Sequence, residues 1–211
     1  MRAAFAVLVA ALLVLTGCGS LADPLPVTNP GSATPAVVEV AEPTTVRIPK
    51  LDVSSSLTRT GWADQPGGEL AVPPVTEPMQ ASWFDEGGRP GMAGYPAVIL
   101  GHVSGRPAGA TRSVPGVFAK LGDLARGDAV VVDRADGSSA RFVVQRVERY
   151  CKNAADVAAK RCDGPVFDGA AVYDDTPTPT LRLITCGGEY DASAHNFLKN
   201  VVVFAAAVPV A

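Results

Sequence analysis

The chain has 211 residues, 47% of them hydrophobic and 18% charged, with a formal net charge of −3. That length suits one domain with some additional sequence, and the composition is ample for a single buried core. The slightly acidic balance, with no dense Lys/Arg stripe, lacks the electrostatic footprint of nucleic-acid binding, so no nucleic-acid partner is expected.

The chain begins Met1-Arg2 and continues as an uncharged apolar run from Ala3 to Thr16. Such a run has the length of a signal-peptide core and falls short of the roughly 20 residues that span a bilayer, so export is expected. It closes on Leu15-Thr16-Gly17-Cys18, which resembles a bacterial lipobox. By that resemblance residues 1–18 form a lipoprotein-type signal peptide, and Cys18 is diacylated and becomes the mature N-terminus. The anchor would hold the protein at the outer face of the cytoplasmic membrane. Cleavage after the small-residue pattern Ser20-Leu21-Ala22 would instead release a soluble protein. Residues 19–44 are rich in Pro, Ser, Thr, Ala and Gly and cannot bury enough apolar surface to offset their chain entropy. They read as a tether, with the folded domain over residues 45–211.

Within that domain the strand-like segments are, in order, Val46-Arg47-Ile48-Pro49, Leu70 to Val72, Ala97 to Leu100, Ala129 to Asp133, Arg141 to Tyr150, Thr180 to Thr185 and Asn200 to Val208. Most are short, rich in Val, Ile and Leu, and bounded by Gly, Pro or Asp, which predicts an all-β barrel or sandwich. Asp136-Gly137 fits a hairpin turn, because glycine takes positive φ without steric cost. Two short helices are expected, at Val117 to Leu121 and at Ala154 to Lys160.

Four cysteines must be sorted in a chain bound for an oxidising compartment. Cys18 is assigned to the lipid. Cys151 and Cys162 flank an Ala/Lys-rich segment after a strand, and a disulfide between them is expected, with two free thiols as the alternative. A metal pair there lacks nearby ligands, and the acidic residues show no calcium-loop spacing, so neither metal nor cofactor is expected. Cys186 is left over as a reactive thiol, an inert buried one or an intermolecular bridge.

Read as a strand, residues 180–185 alternate faces, so that Arg182, Ile184 and Cys186 project to one side and Leu183 and Thr185 to the other. Gly187-Gly188 would let the chain turn away and leave space for a substrate backbone. A thiol of ordinary acidity is only a few per cent thiolate at neutral pH, so a nucleophile at Cys186 needs help. His102, after the strand-like Ala97 to Leu100, is the expected acid/base partner, one of only two histidines in the chain. His195 falls in a short loop and is expected to be exposed.

The run Leu183-Ile184-Thr185-Cys186 resembles the Thr-Leu-x-Thr-Cys signature of sortases, cysteine transpeptidases that join secreted proteins to cell-wall amines. Val46-Arg47-Ile48-Pro49-Lys50-Leu51, Glu69-Leu70-Ala71-Val72-Pro73 and Trp83-Phe84 resemble landmarks of class F or E-like actinobacterial members. Phe118 to Leu124 and Asn200 to Ala205 also match in order. The resemblance implies a closed β-barrel with short helices, and a Cys186 thiolate that attacks the Thr carbonyl of a Leu-Pro-x-Thr-Gly-like sorting signal. His102 would protonate the departing amine and deprotonate an incoming one from a cell-wall precursor. The partners implied are secreted proteins with C-terminal sorting signals and that precursor.

One feature departs from the family pattern. The usual oxyanion-binding arginine lies on the strand after the cysteine, yet no arginine follows Cys186. Arg182, facing the same way as Cys186, is the preferred substitute, with Lys199 or Asn200 occupying the usual neighbourhood. Among other cysteine enzymes, an L,D-transpeptidase would carry a Ser-His-Gly-Cys neighbourhood that is absent here, and papain-like peptidases have the opposite order of cysteine and histidine. A catalytically degenerate lipoprotein that keeps the barrel as a binding module is the alternative outside enzymes.

Overall fold

The long strands of the second half of the chain pair with shorter strands from the first half and close a barrel. The structure, a computed structural model, describes residues 40–62 and 70–209. Cys18, the signal peptide and all but the last residues of the expected tether lie outside the described residues. The strands are β1 (Pro43–Ile48), β2 (Val53–Thr60), β3 (Ala81–Phe84), β4 (Ala97–Gly101), β5 (Ser104–Gly105), β6 (Val114–Pro115), β7 (Ala129–Arg134), β8 (Ser139–Cys151), β9 (Thr180–Asp191) and β10 (Asn196–Ala207). Two short helices, α1 (Ala154–Ala158) and α2 (Gly169–Tyr173), lie between β8 and β9.

Eight strands close in the order β1-β2-β3-β4-β9-β10-β8-β7, while β5 and β6 form a separate two-stranded ribbon. Closure leaves the barrel without an unpaired edge. Pairing is antiparallel except for β2 with β3 and β4 with β9, which are parallel. The second parallel pair decides the position of the site.

Alternation along the strands sorts the side chains into two apolar layers. Val46, Ile48, Ala97, Ile99, Leu181, Leu183, Val203 and Ala205 point into the barrel, where Phe118 and Phe142 join them. The alternate residues Val98, Leu100, Ile184, Val202 and Phe204 face outward and are buried by Val172 of α2, with Phe167 and Tyr173 packed against them. The segment between β8 and β9 therefore covers one outer face of the barrel.

The closed all-β barrel with short helices matches the sequence reading, and so does the Asp136-Gly137 hairpin, where Gly137 has φ 82°. The expected helix at Ala154 is present as α1, capped by Asn153, whose side chain accepts from the Asp156 N–H. Several details differ. Leu70 to Val72 makes no strand, only an isolated bridge from Leu70 to Trp62, because Pro73-Pro74 follows and proline has no N–H to donate. Val117 to Leu121 forms turns leading into a 3-10 turn at Leu121–Asp123, since Val117 and Phe118 are buried in the barrel core and Gly116 and Gly122 flank them. Strand β2 carries little apolar signal because it is largely Ser and Thr, and α2 is too short to show a period. Finally, the chain does not turn away at Gly187-Gly188. β9 runs on to Asp191, and the glycines accommodate a shift in register against β10 between Phe197 and Lys199. Gly188 has φ +75°, and a Cβ on it would lie 2.9 Å from Lys199 Cγ. No helix among the described residues is long and apolar enough to cross a membrane.

Candidate active site

The parallel register of β4 on β9 pairs Val98 with Arg182 and Leu100 with Ile184. His102 and Cys186 each lie two residues beyond that last pair. Both have the outward-facing parity of Leu100 and Ile184, so both emerge on the same side of the sheet. They line one cavity of about 1090 Å³. Its wall includes the apolar residues Trp62, Val72 and Val75 and the polar residues Arg106, Lys152 and Asn200.

His102 is held from both ends. Its carbonyl accepts from the Phe118 N–H at 3.0 Å, and its ring Nε2 donates to the Pro73 carbonyl at 2.6 Å. Close packing below it depends on two small residues. A Cβ on Gly101 would approach Phe118 Cδ2 to 2.6 Å, and one on Gly116 would approach the His102 carbonyl oxygen to 2.3 Å. With Nε2 engaged, Nδ1 has no hydrogen-bond partner among the described residues.

Cys186 is a free, partly buried thiol. Its Sγ is met by Lys152 Nζ at 3.4 Å, and the same ammonium donates to Asn196 Oδ1 at 2.6 Å. Lys152 stands directly after Cys151 at the end of β8. There Cys151 and Cys162 are joined as a disulfide, and the Lys152 N–H donates to the Leu198 carbonyl at 3.0 Å. Asn196 is set by the β9–β10 turn. Asp191 Oδ1 accepts from the N–H groups of Ser193 and Ala194, and His195 closes the turn at φ 51°. His195 is exposed, as expected, and lies on the cavity rim.

The other basic residues lie elsewhere. Arg182 shares the face of Cys186, as the alternation predicts, but it sits four residues back along β9, about 13 Å at strand spacing, and does not line the cavity. It is buried, with Nη1 donating to the Leu181 carbonyl at 3.3 Å and Nε without a partner. Burial, with Arg146 nearby, pushes its pKa down to about 10. Lys199 pairs with Gly187 in register and turns to Asp163, which its ammonium holds below the ordinary carboxylate range. Asn200, directly opposite Cys186 on β10, is the residue from that neighbourhood that faces the cavity. The structure thus brings Cys186 and His102 together, and it brings neither Arg182 nor Lys199 to them. Lys152 was not singled out by the sequence. Its only local signal is that it follows a disulfide cysteine at a strand end.

No group of three or more His, Cys, Asp or Glu residues that could hold a metal occurs among the described residues. Residues 46–208 match the family model for the sortase domain. The chain belongs to the sortase family. Sortase A from Corynebacterium diphtheriae, in a lid mutant, superposes with a TM-score of 0.53 at 18% identity, over 84% of this chain and 75% of that one. Sortase C1 from Streptococcus agalactiae gives 0.54 at 15% identity, over 83% and 72% of the two chains. These likenesses show the fold. No curated protein sequence matches the chain. Sortases are cysteine transpeptidases of the cell surface that act on sorting signals and cell-wall amines, and the barrel here is the sortase barrel.

Proposed function

We propose that the protein cleaves a Leu-Pro-x-Thr-Gly-like sorting signal through an acyl-thioester on Cys186 and transfers the acylated protein to a cell-wall amine. The observation that carries this reading is the convergence of Cys186 and His102 on one cavity through the parallel β4–β9 register. The thiol proton passes to His102 as Sγ bonds to the Thr carbonyl carbon, and the C–N bond breaks as His102 returns that proton to the departing amine. The acceptor amine then attacks the thioester, His102 takes its proton, and the thiolate leaves and is reprotonated. Because Nε2 is engaged by Pro73, Nδ1 is the nitrogen placed to move protons. A diacylated Cys18 and a tether that ends where β1 begins at Pro43 would hold this domain at the outer face of the cytoplasmic membrane, as an actinobacterial class F or E-like enzyme.

The position of Arg182, away from the cavity, favours a second reading in which the barrel is a degenerate binding module. Incubation with a sorting-signal peptide and an amine, followed by intact-mass analysis, separates the two. A peptide adduct on Cys186 that the amine discharges is the expected result. Binding without adduct would establish the module.

A further inference from the structure

We propose that Lys152 is a catalytic residue that stabilises the negative charge formed at Cys186, first on sulfur and then on the oxyanion of the tetrahedral intermediate. The inference rests on Cys186 being the nucleophile. Nζ lies 3.4 Å from Sγ, so it touches the atom that attacks. When Sγ bonds to a carbonyl carbon, the oxyanion is one bond removed from that carbon and within the sweep of the same ammonium. Lys152 donates hydrogen bonds in these steps and transfers no proton.

The surroundings fit that role. Among the described residues no carboxylate lies within ion-pair distance of Nζ, so none of them neutralises its charge. Its second contact, Asn196 Oδ1, is a neutral acceptor that fixes the direction of the ammonium. The backbone that carries it is pinned by the Cys151–Cys162 disulfide and by the bond to Leu198. A donor fixed before the reaction stabilises developing charge without reorganising, which is the property required of an oxyanion donor. Lys199 cannot serve while it is paired with Asp163, and Arg182 is occupied with Phe204 on another part of the face.

The test compares wild-type protein with Lys152→Met, Lys152→Arg and Asn196→Ala, each checked for folding by its thermal transition. Two rates are read: alkylation of Cys186 by iodoacetamide at neutral pH, which needs no sorting peptide, and single-turnover acylation by a Leu-Pro-x-Thr-Gly peptide. Lys152→Met is expected to slow alkylation about tenfold or more. It should also lower the acylation rate by about a hundredfold, with the peptide concentration at half-saturation nearly unchanged. Lys152→Arg should restore most of both rates, and Asn196→Ala should fall between. Alkylation of Lys152→Met at the wild-type rate overturns the proposal, as does a defect confined to peptide half-saturation. If wild-type protein is alkylated in a Lys152-dependent way but never acylated by peptide, the role of Lys152 at sulfur stands and the sorting-signal reading falls.

Discussion

The guanidinium of Arg182 lies over the ring of Phe204, 4.6 Å from its centroid, and Phe204 is its cross-strand partner in the β9–β10 ladder. Arg146, paired with Phe204 from the other side, stacks on the same ring at 3.6 Å. Arg182 is therefore part of the packed outer layer. Arg182→Ala should lower stability by about 2 kcal/mol or more by leaving a void, whereas Arg182→Met, which refills the space and removes an unpaired buried Nε, should nearly preserve it. Denaturant melts of both variants check the stability, and acylation by the Met variant checks the chemistry. A hundredfold loss of turnover at unchanged stability would return the oxyanion role to Arg182.

Loss of the proposed nucleophile and of its proposed partner should separate cleanly. Cys186→Ala is expected to abolish the peptide adduct. His102→Ala should slow acylation by roughly 10²- to 10⁴-fold, the range for a positioned acid/base group. Rapid-quench mass spectrometry of single turnovers reads both.

The disulfide supports fold and site together. Its closed loop spans a sequence separation of 11, and replacing both cysteines by serine should cost roughly 2–3 kcal/mol in the chain-entropy model. Because Lys152 follows Cys151 directly, the double variant should also lose acylation rate under conditions where it remains folded. Urea titration and single-turnover acylation are the measurements.

Gly188→Val should be destabilising by more than its exposed position suggests. It would place a β-branched residue at φ +75° and crowd Lys199. The bulge it disturbs sets the register of Asn200 on Cys186, so activity should fall with stability. A thermal melt and an activity assay of the variant check this.

Asp191 gives the stability a defined acid limb. Its carboxylate is held well below the ordinary range, chiefly by the Ser193 hydroxyl, then by the backbone N–H groups of Ala194 and Ser193, with Arg161 adding to them. The folded state therefore binds protons more weakly than the unfolded one. The associated stability is fully present above the unfolded carboxylate range, about pH 4, and is lost as pH falls further. Asp191→Asn should flatten the fall of melting temperature between about pH 4 and pH 2, and should loosen the turn that presents Asn196 to Lys152.

Much of this was legible in the chain because it is written in local pattern. Alternating Val, Ile and Leu marked the long strands of the barrel, and glycine after aspartate marked the β7–β8 hairpin. The residues around Cys186 carried the family, and alternation put Arg182 and Cys186 on one face. Strand β2 was hidden because its residues are mostly polar, and α2 because it is a single turn.

The sequence by itself determined the fold class, the exceptional thiol and the histidine after a strand. Only the tertiary structure decided which cation meets the sulfur. Arg182, Lys199 and Lys152 are equally cationic in a list of residues, and a strand period reports only a face, not a position along it. The parallel pairing of β4 with β9 brought His102 to Cys186. The end of β8, pinned by its disulfide, brought Lys152 to the same sulfur, while Phe204 and Asp163 drew the other two cations away. Those contacts join residues remote in sequence, so the strand pairing and the disulfide-closed β8–β9 connection set them rather than local pattern.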